Sequence, residues 1–333
     1  MNAPALLLSR ADVRALLTRG DYLDAVERAF SASKQSRAHS PSPMLIPATG
    51  GGFHAKGASF KSDRAYVALK FNGNFPGNLE RTGLPTIQGA IMLCDAHNGS
   101  LLAIMDSIEI TLMRTAAASA LAARYLARPD AATLSIVGCG DQAVPQASAI
   151  ADVIALRHGY AWDIDAAKAA RFAKAMSRTL GIPFDVPLHL SDATRRGDII
   201  VTCTTSRSPV LGEADVSPGA FIAAIGADSP GKSEIAPGLM ARSAVIVDVL
   251  NQCVAMGDLR QAVAAGAMSA ADVRCDLGDL VSGRCRGRTH EDEIVIFDST
   301  GTAIQDAASA ALAYERASRI DARIFDFTTG ERP

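Results

Sequence analysis

The spacing of apolar residues changes character along the chain. Near the N-terminus Val13, Leu16 and Leu17, then Leu23, Val26 and Phe30, recur at helical intervals and predict two helices, each with one apolar face. Ser9-Arg10-Ala11-Asp12 has the form of a capping box at the first, and Gly20-Asp21 separates the two. Residues 31–47 are largely polar and proline-bearing, which predicts a connecting loop. Strand-like runs over 53–60, 66–71, 85–95 and 100–106 follow, divided by glycine, asparagine and proline turns, and predict an antiparallel sheet of hairpins. The alanine-rich run 109–128 predicts a helix whose small side chains permit close packing, with Pro129-Asp130 as its stop.

Beyond residue 131 short apolar runs at 134–137, 160–162, 199–202, 221–225, 245–247 and 294–297 alternate with helical stretches, the pattern of a mostly parallel, doubly wound α/β sheet with right-handed crossovers. A last helix, 302–317, with Ile304, Ala308, Leu312 and Ala313 on one face, can pack back on the N-terminal part. The expected division is therefore an α+β domain of residues 1–114 joined by the C-terminal helix region 302–333, and a Rossmann-type domain of residues 115–301.

The passage from the first parallel strand into its helix reads Gly138-Cys139-Gly140-Asp141-Gln142-Ala143, or G-x-G-x-x-A. In such a turn the first glycine makes the bend, the second admits a pyrophosphate to the backbone, and the helix N-terminus offers N–H groups to the phosphates. A second strand ends at Asp163, 25 residues past Gly138. A carboxylate there accepts ribose hydroxyls and repels a 2′-phosphate, which favours NAD over NADP. The plainer role for Asp163 is a helix N-cap before Ile164-Asp165-Ala166, and both roles are compatible.

Three further groups carry candidate chemistry. Lys70 closes an apolar strand and runs into Asn72-Gly73-Asn74, where it can hold a substrate carboxylate; otherwise it is a snorkelling surface lysine. Arg114 heads the alanine-rich helix, where it suits a carboxylate or phosphate, or a structural salt bridge. Asp228, in Gly226-Ala227-Asp228-Ser229-Pro230-Gly231-Lys232, follows a strand that should end at the carboxyl edge of the parallel sheet, where ligands of this architecture bind; otherwise it is a turn aspartate. His54 beside Lys56 is a weaker proton-carrier candidate.

Composition narrows the classes. With 333 residues, 48% hydrophobic and 20% charged, and a net charge of −2, the chain suits a soluble protein of about two domains. Lys+Arg at 33 against Asp+Glu at 35, with no basic run, gives no sign of a nucleic-acid or membrane partner and points to small molecules. Six cysteines without C-x-x-C spacing read as reduced, small apolar residues of a cytoplasmic protein, and with histidines lacking metal spacing they argue against a metal site.

Taken together and in order, Lys70 to Asn78, Gly83-Leu84-Pro85-Thr86, Arg114-Thr115-Ala116-Ala117, the Gly138 turn, Gly226 to Glu234 and Phe297-Asp298-Ser299-Thr300-Gly301 resemble the ornithine cyclodeaminase/mu-crystallin family over roughly residues 10–317. The resemblance implies a homodimer built through the N-terminal sheet, NAD as cofactor, and a small α-amino or α-imino acid as substrate. It implies that Lys70 and Arg114 hold the substrate carboxylate, with Arg114 also near the cofactor, and that Asp228 is the acid/base at the amine. Thr86, Gly138, Gly140, Asp141, Gln142, Asp163, Thr204, Thr205, Lys232 and Ser299 are then the expected cofactor-binding residues. Many members carry an additional substrate-binding arginine around Met44 to Pro47; this chain has none there and instead has Lys56, which can supply the missing charge and puts ornithine in doubt. The expected activity is an amino-acid dehydrogenase or imine reductase. Its rivals are a cyclodeaminase running on catalytic NAD and, in another class, a cofactor-binding protein without turnover.

Overall fold

The computed structural model describes residues 4–327. In chain order the first elements are β1 (Ala5–Leu8), α1 (Arg10–Leu16), α2 (Arg19–Ser33), β2 (Ala38–His39), β3 (Met44–Ala48), β4 (Gly51–Lys61), β5 (Ala65–Asn74), α3 (Asn78–Thr82), β6 (Ile87–Asp95), β7 (Leu101–Asp106) and α4 (Ser107–Leu126). Then come β8 (Thr133–Val137), α5 (Ala143–Ala151), β9 (His158–Trp162), α6 (Ala166–Leu180), β10 (Phe184–Asp185), α7 (Leu190–Thr194), β11 (Ile199–Thr202), β12 (Phe221–Ala224) and α8 (Pro237–Ala241). The chain closes with β13 (Ala244–Val247), α9 (Leu250–Met256), α10 (Asp258–Ala264), β14 (Cys275–Asp276), α11 (Leu277–Val281), β15 (Val295–Asp298), α12 (Ala303–Arg316) and β16 (Arg323–Phe325). It forms two compact units: one takes the chain up to Arg114 and again from Thr302, the other is Thr115–Gly301.

In the first unit eight strands form one sheet in the order β16-β1-β7-β6-β5-β4-β2, with β3 paired to β4. Pairing is antiparallel from β4 through β7 but parallel between β1 and β7, so the sheet is mixed. Helix α12 lies against β4, β5 and α2. Alternation along β5 sorts its side chains: Tyr66, Ala68, Lys70 and Asn72 are buried, whereas Val67, Leu69 and Phe71 are exposed, each above 40%. With Met92 on the neighbouring strand this leaves one sheet face apolar and open. The region expected to be a loop, 31–47, instead continues α2 to Ser33 and then supplies β2 and β3. Strand β3 is exposed throughout and contains Pro47, which an edge strand tolerates and a polar-apolar pattern does not reveal.

The second unit is an all-parallel sheet in the order β10-β9-β8-β11-β12-β15-β13-β14. Its central strands are apolar on both faces; Ile200, Ile222, Val245 and Ile296 are fully buried. The two-residue strands β10 and β14 extend the sheet at its edges and are too short to show a sequence period. Cys275 and Cys285, read from the sequence as free thiols, are joined by a disulfide, while Cys94, Cys139, Cys203 and Cys253 are free. Their separation of 10 residues matches no spacing motif, which is why the pair was not legible in sequence. No helix among the described residues is long and apolar enough to cross a membrane.

Candidate functional site

In the first unit, β4 and β5 pair with Lys56 directly opposite Lys70, so both lysines stand on the face covered by α12. Arg114 joins them from α4, and all three cations are buried. Asp306 of α12 bridges two of them, meeting Lys70 Nζ at 2.6 Å and Arg114 Nε at 2.9 Å. Gln305 Oε1 accepts a bond from Arg114 Nη1 at 3.0 Å, and Thr111 Oγ1 accepts one from Lys70 Nζ at 3.4 Å. Lys70 is thus no snorkelling surface residue. Nor does Arg114 head its helix: α4 begins at Ser107, which places Arg114 two turns inside, one turn beyond Thr111 on the same helix face.

Burial, with help from the Arg114 and Lys56 charges, outweighs the attraction of Asp306 and pushes the Lys70 ammonium down to about 7. For Asp306 burial acts upward, but Arg114 and Lys70 prevail and hold it below the usual carboxylate range. A guanidinium has five N–H donors, of which the Asp306 and Gln305 bonds use two. The cluster is therefore equipped to receive an anion.

In the second unit the glycine turn leaves β8 as the sequence predicts. Gly138 has φ +94°, and a Cβ there would lie 2.9 Å from Thr204 Cγ2 and 3.0 Å from the Cys203 carbonyl oxygen, so only glycine fits. At Gly140 a Cβ would meet nothing within 4 Å, so the glycine keeps open a cradle before α5 that a side chain would fill. Gln142, at the N-cap of α5, has a buried Oε1 without a donor. Asp163 accepts bonds from the Cys139 and Asp165 amides at 2.7 and 2.9 Å. The N-cap of α6 is Asp165, so the capping alternative for Asp163 gives way to a bond that ties the β9 end to the glycine turn. Asp141 and Thr205 are exposed; Thr204 is half-buried and gives its amide to Glu234 at 2.6 Å. Open cradle, orphaned amide oxygen and acid at the β9 end together fit a dinucleotide.

Asp228 follows β12, with its side chain 42% exposed and paired to Lys232 Nζ at 2.7 Å. Ser299 is buried and gives its hydroxyl to Asp248 at 3.0 Å. Thr86 sits in the first unit just before β6, where its carbonyl oxygen accepts a bond from the Phe75 amide at 2.8 Å. Thr86 apart, the candidates thus fall into a cationic group of Lys56, Lys70 and Arg114 in the first unit, and a carboxyl-edge group in the second.

Sequence reasoning missed the acids that support these residues. Besides Asp306, four buried carboxylates lace the carboxyl edge of the second sheet. Glu234 takes bonds from Thr202 Oγ1 and the Thr204 and Gly226 amides at 2.6–2.7 Å. Asp258 receives the Glu234 and Ile235 amides, Asp298 the Asp258 and Leu259 amides, and Asp248 the Val249 and Gly301 amides. Burial and, next, the Asp258 charge push Glu234 up to about 7, and burial raises Asp298 well above the usual range.

The chain matches the ornithine cyclodeaminase/mu-crystallin family over residues 4–321. It belongs to that family. A curated relative, alanine dehydrogenase of Archaeoglobus fulgidus, is 35% identical over 312 residues, covering 94% of this chain and 95% of the relative. Among solved structures, an archaeal alanine dehydrogenase dimer with bound NAD aligns with a TM-score of 0.93 at 34% identity, over 98% of this chain and all of the other. Delta(1)-pyrroline-2-carboxylate reductase of Thermococcus litoralis, solved with NADH and L-proline, aligns with a TM-score of 0.91 at 32% identity, over 94% and 98% of the two chains. Family membership covers both compact units, so the fold of each is the family's own.

Proposed function

We propose that this family member is an NAD-dependent oxidoreductase acting on the C–N bond of a small α-amino or α-imino acid. The observation that carries the reading is the buried group of Lys56, Lys70 and Arg114 with Asp306 as its acid. Burying Lys70 and Arg114 on one shared carboxylate costs stability, and a carboxylate ligand offsets that cost. On this reading the unit of residues 1–114 and 302–333 holds the substrate, and residues 115–301 hold the dinucleotide at Gly138, Gly140, Asp141, Gln142, Asp163, Thr204, Thr205, Lys232 and Ser299; Thr86 and Arg114 are the further cofactor candidates. The bound cofactor supplies hydride transfer to or from the substrate carbon. Lys70 and Arg114 fix the carboxylate and so orient the carbon, a positioning effect. Asp228 takes the proton that an ammonium must lose before its lone pair can form the C=N bond, and returns one in the reductive direction. The open apolar face of Val67, Leu69, Phe71 and Met92 is read as the contact with a second copy, in keeping with the dimer of the solved relative.

The test is incubation of purified protein with NAD and a panel of amino acids including ornithine, lysine, arginine and alanine, following NADH and ammonia together. NADH rising with an amino acid supports the reading. Ammonia without NADH makes the chain a cyclodeaminase. Silence in both, and also with NADH and cyclic imines, overturns catalysis and leaves a binding protein.

A further inference from the structure

We infer that Asp306 is a positioning residue for substrate binding, setting from α12 the orientation of both carboxylate-holding side chains. The inference rests on the proposed role of Lys70 and Arg114. The geometry is bidentate: one oxygen of Asp306 takes the Lys70 ammonium at 2.6 Å and the other takes Arg114 Nε at 2.9 Å. A single planar group thus fixes the ammonium and the guanidinium relative to each other. Its neighbour Gln305 takes a second guanidinium hydrogen at 3.0 Å, which sets the plane of the fork. The amide nitrogen of Gln305 is buried and has no acceptor among the described residues, so the helix also presents a donor suited to a ligand oxygen. Asp306 itself is 1% exposed, behind the cations it holds, and serves the ligand through them.

Charge argues the same way. The groups acting on the Lys70 ammonium are Asp306 from α12, Arg114 and the Thr111 hydroxyl from α4, and Lys56 from β4. Asp306 favours the protonated ammonium; burial, Arg114 and Lys56 oppose it. Without the acid, Lys70 would be neutral over more of the working pH range, and a neutral amine attracts no carboxylate.

The experiment uses the full chain and a substrate that the wild-type protein turns over, with kcat and KM followed from pH 5.5 to 9. In Asp306→Asn, which keeps the shape and loses the charge, the pH at which substrate binding weakens should move down by about one unit or more. KM should then rise about ten-fold above pH 7 and recover toward the wild-type value near pH 6, while NADH binding to the second unit is retained. In Asp306→Glu the midpoint should stay and kcat/KM should fall about ten-fold, because the longer side chain displaces both cations. An Asn variant with unchanged midpoint and KM, or with the same loss at every pH, overturns the assignment. If the Asn variant does not fold, the Glu variant decides: a retained midpoint with lowered kcat/KM supports the role, and wild-type kcat/KM overturns it. Lys70→Met and Arg114→Met variants with unaltered KM would instead overturn the underlying reading of the site and this assignment with it.

Discussion

The two units bury charge in opposite ways. In the first, Lys70 and Arg114 share Asp306 side chain to side chain, with Lys56 buried opposite Lys70. In the second, Glu234, Asp248 and Asp298 are satisfied by backbone amides and hydroxyls, Asp258 takes the Ser233 hydroxyl and two amides on one oxygen while its other oxygen is buried without a donor among the described residues, and no lysine or arginine among the described residues pairs with any of the four. A carboxylate saturated by amides has spent its acceptors on the chain and can only hold loops in place. A guanidinium or ammonium with one shared acid keeps donors for something else. The difference teaches that buried charge marks a ligand site only where the hydrogen-bonding capacity is not consumed by the fold.

Asp228 belongs to neither set, and the largest effect is expected there. It lies on the same carboxyl edge as the buried acids yet is partly exposed and paired with Lys232. Asp228→Asn should lower kcat by about 1,000-fold while leaving NADH binding intact, since a positioned acid/base contributes between about 100- and 10,000-fold. Stopped-flow turnover together with a cofactor titration checks this; near-normal rates would remove Asp228 as the proton carrier and blur the contrast with its neighbours.

An acid of the saturated set should behave in the converse way. Asp248→Ala leaves the Val249 and Gly301 amides and the Ser299 hydroxyl without their acceptor in a buried place. A loss of about 3 kcal/mol in unfolding free energy is expected, by denaturant titration. Stability unchanged within error would mean that these loops are held by something other than the carboxylate.

The two clusters should also give opposite slopes of stability against pH. Glu234 is raised to about 7 from an unfolded value near 4.5, so the native state binds the extra proton between them. Its contribution is complete below the unfolded value and is lost as pH rises toward 7. Lys70 is lowered to about 7 from 10.5, so between those values the unfolded chain holds the proton and stability rises with pH. Unfolding followed from pH 4.5 to 9.5 should therefore show a decline and then a recovery. Glu234→Gln should flatten the first limb and Lys70→Met the second; limbs that survive both variants would assign the slopes to other groups.

The same contrast explains what was legible in the chain. The glycine turn and Asp163 were readable because the chemistry is local: strand, bend and helix start lie within a few residues, and the acid that bonds Cys139 follows after one helix. Lys70 and Arg114 could be singled out by motif, but their burial and mutual placement arise from strand register and from contacts across the first unit. Asp306 was hidden for that reason. It is separated by 192 residues from Arg114, on a helix whose sequence pattern shows one apolar face but which is buried nearly all round over its first turns. The amide-bonded acids were hidden too, because an acid at the end of a strand or in a loop looks the same in sequence whether it ties down the backbone or faces a ligand.

The smallest effect, and the one that separates the first cluster's members, is expected at Lys56. It faces Lys70 across the β4–β5 pair, and its charge lowers the proton affinity of Lys70, whereas Asp306 raises it. Lys56→Met should therefore move the pH dependence of kcat/KM upward, opposite to Asp306→Asn, by a few tenths of a unit, and change KM for a monocarboxylic substrate only about three-fold. A larger loss for an amino dicarboxylate than for alanine would assign Lys56 to a second carboxylate on the substrate side chain. Equal losses would assign it to the shared potential of the cluster. A midpoint that moves down would mean that Lys56 does not act on Lys70 through its charge, and the cationic group would then be two residues and their acid.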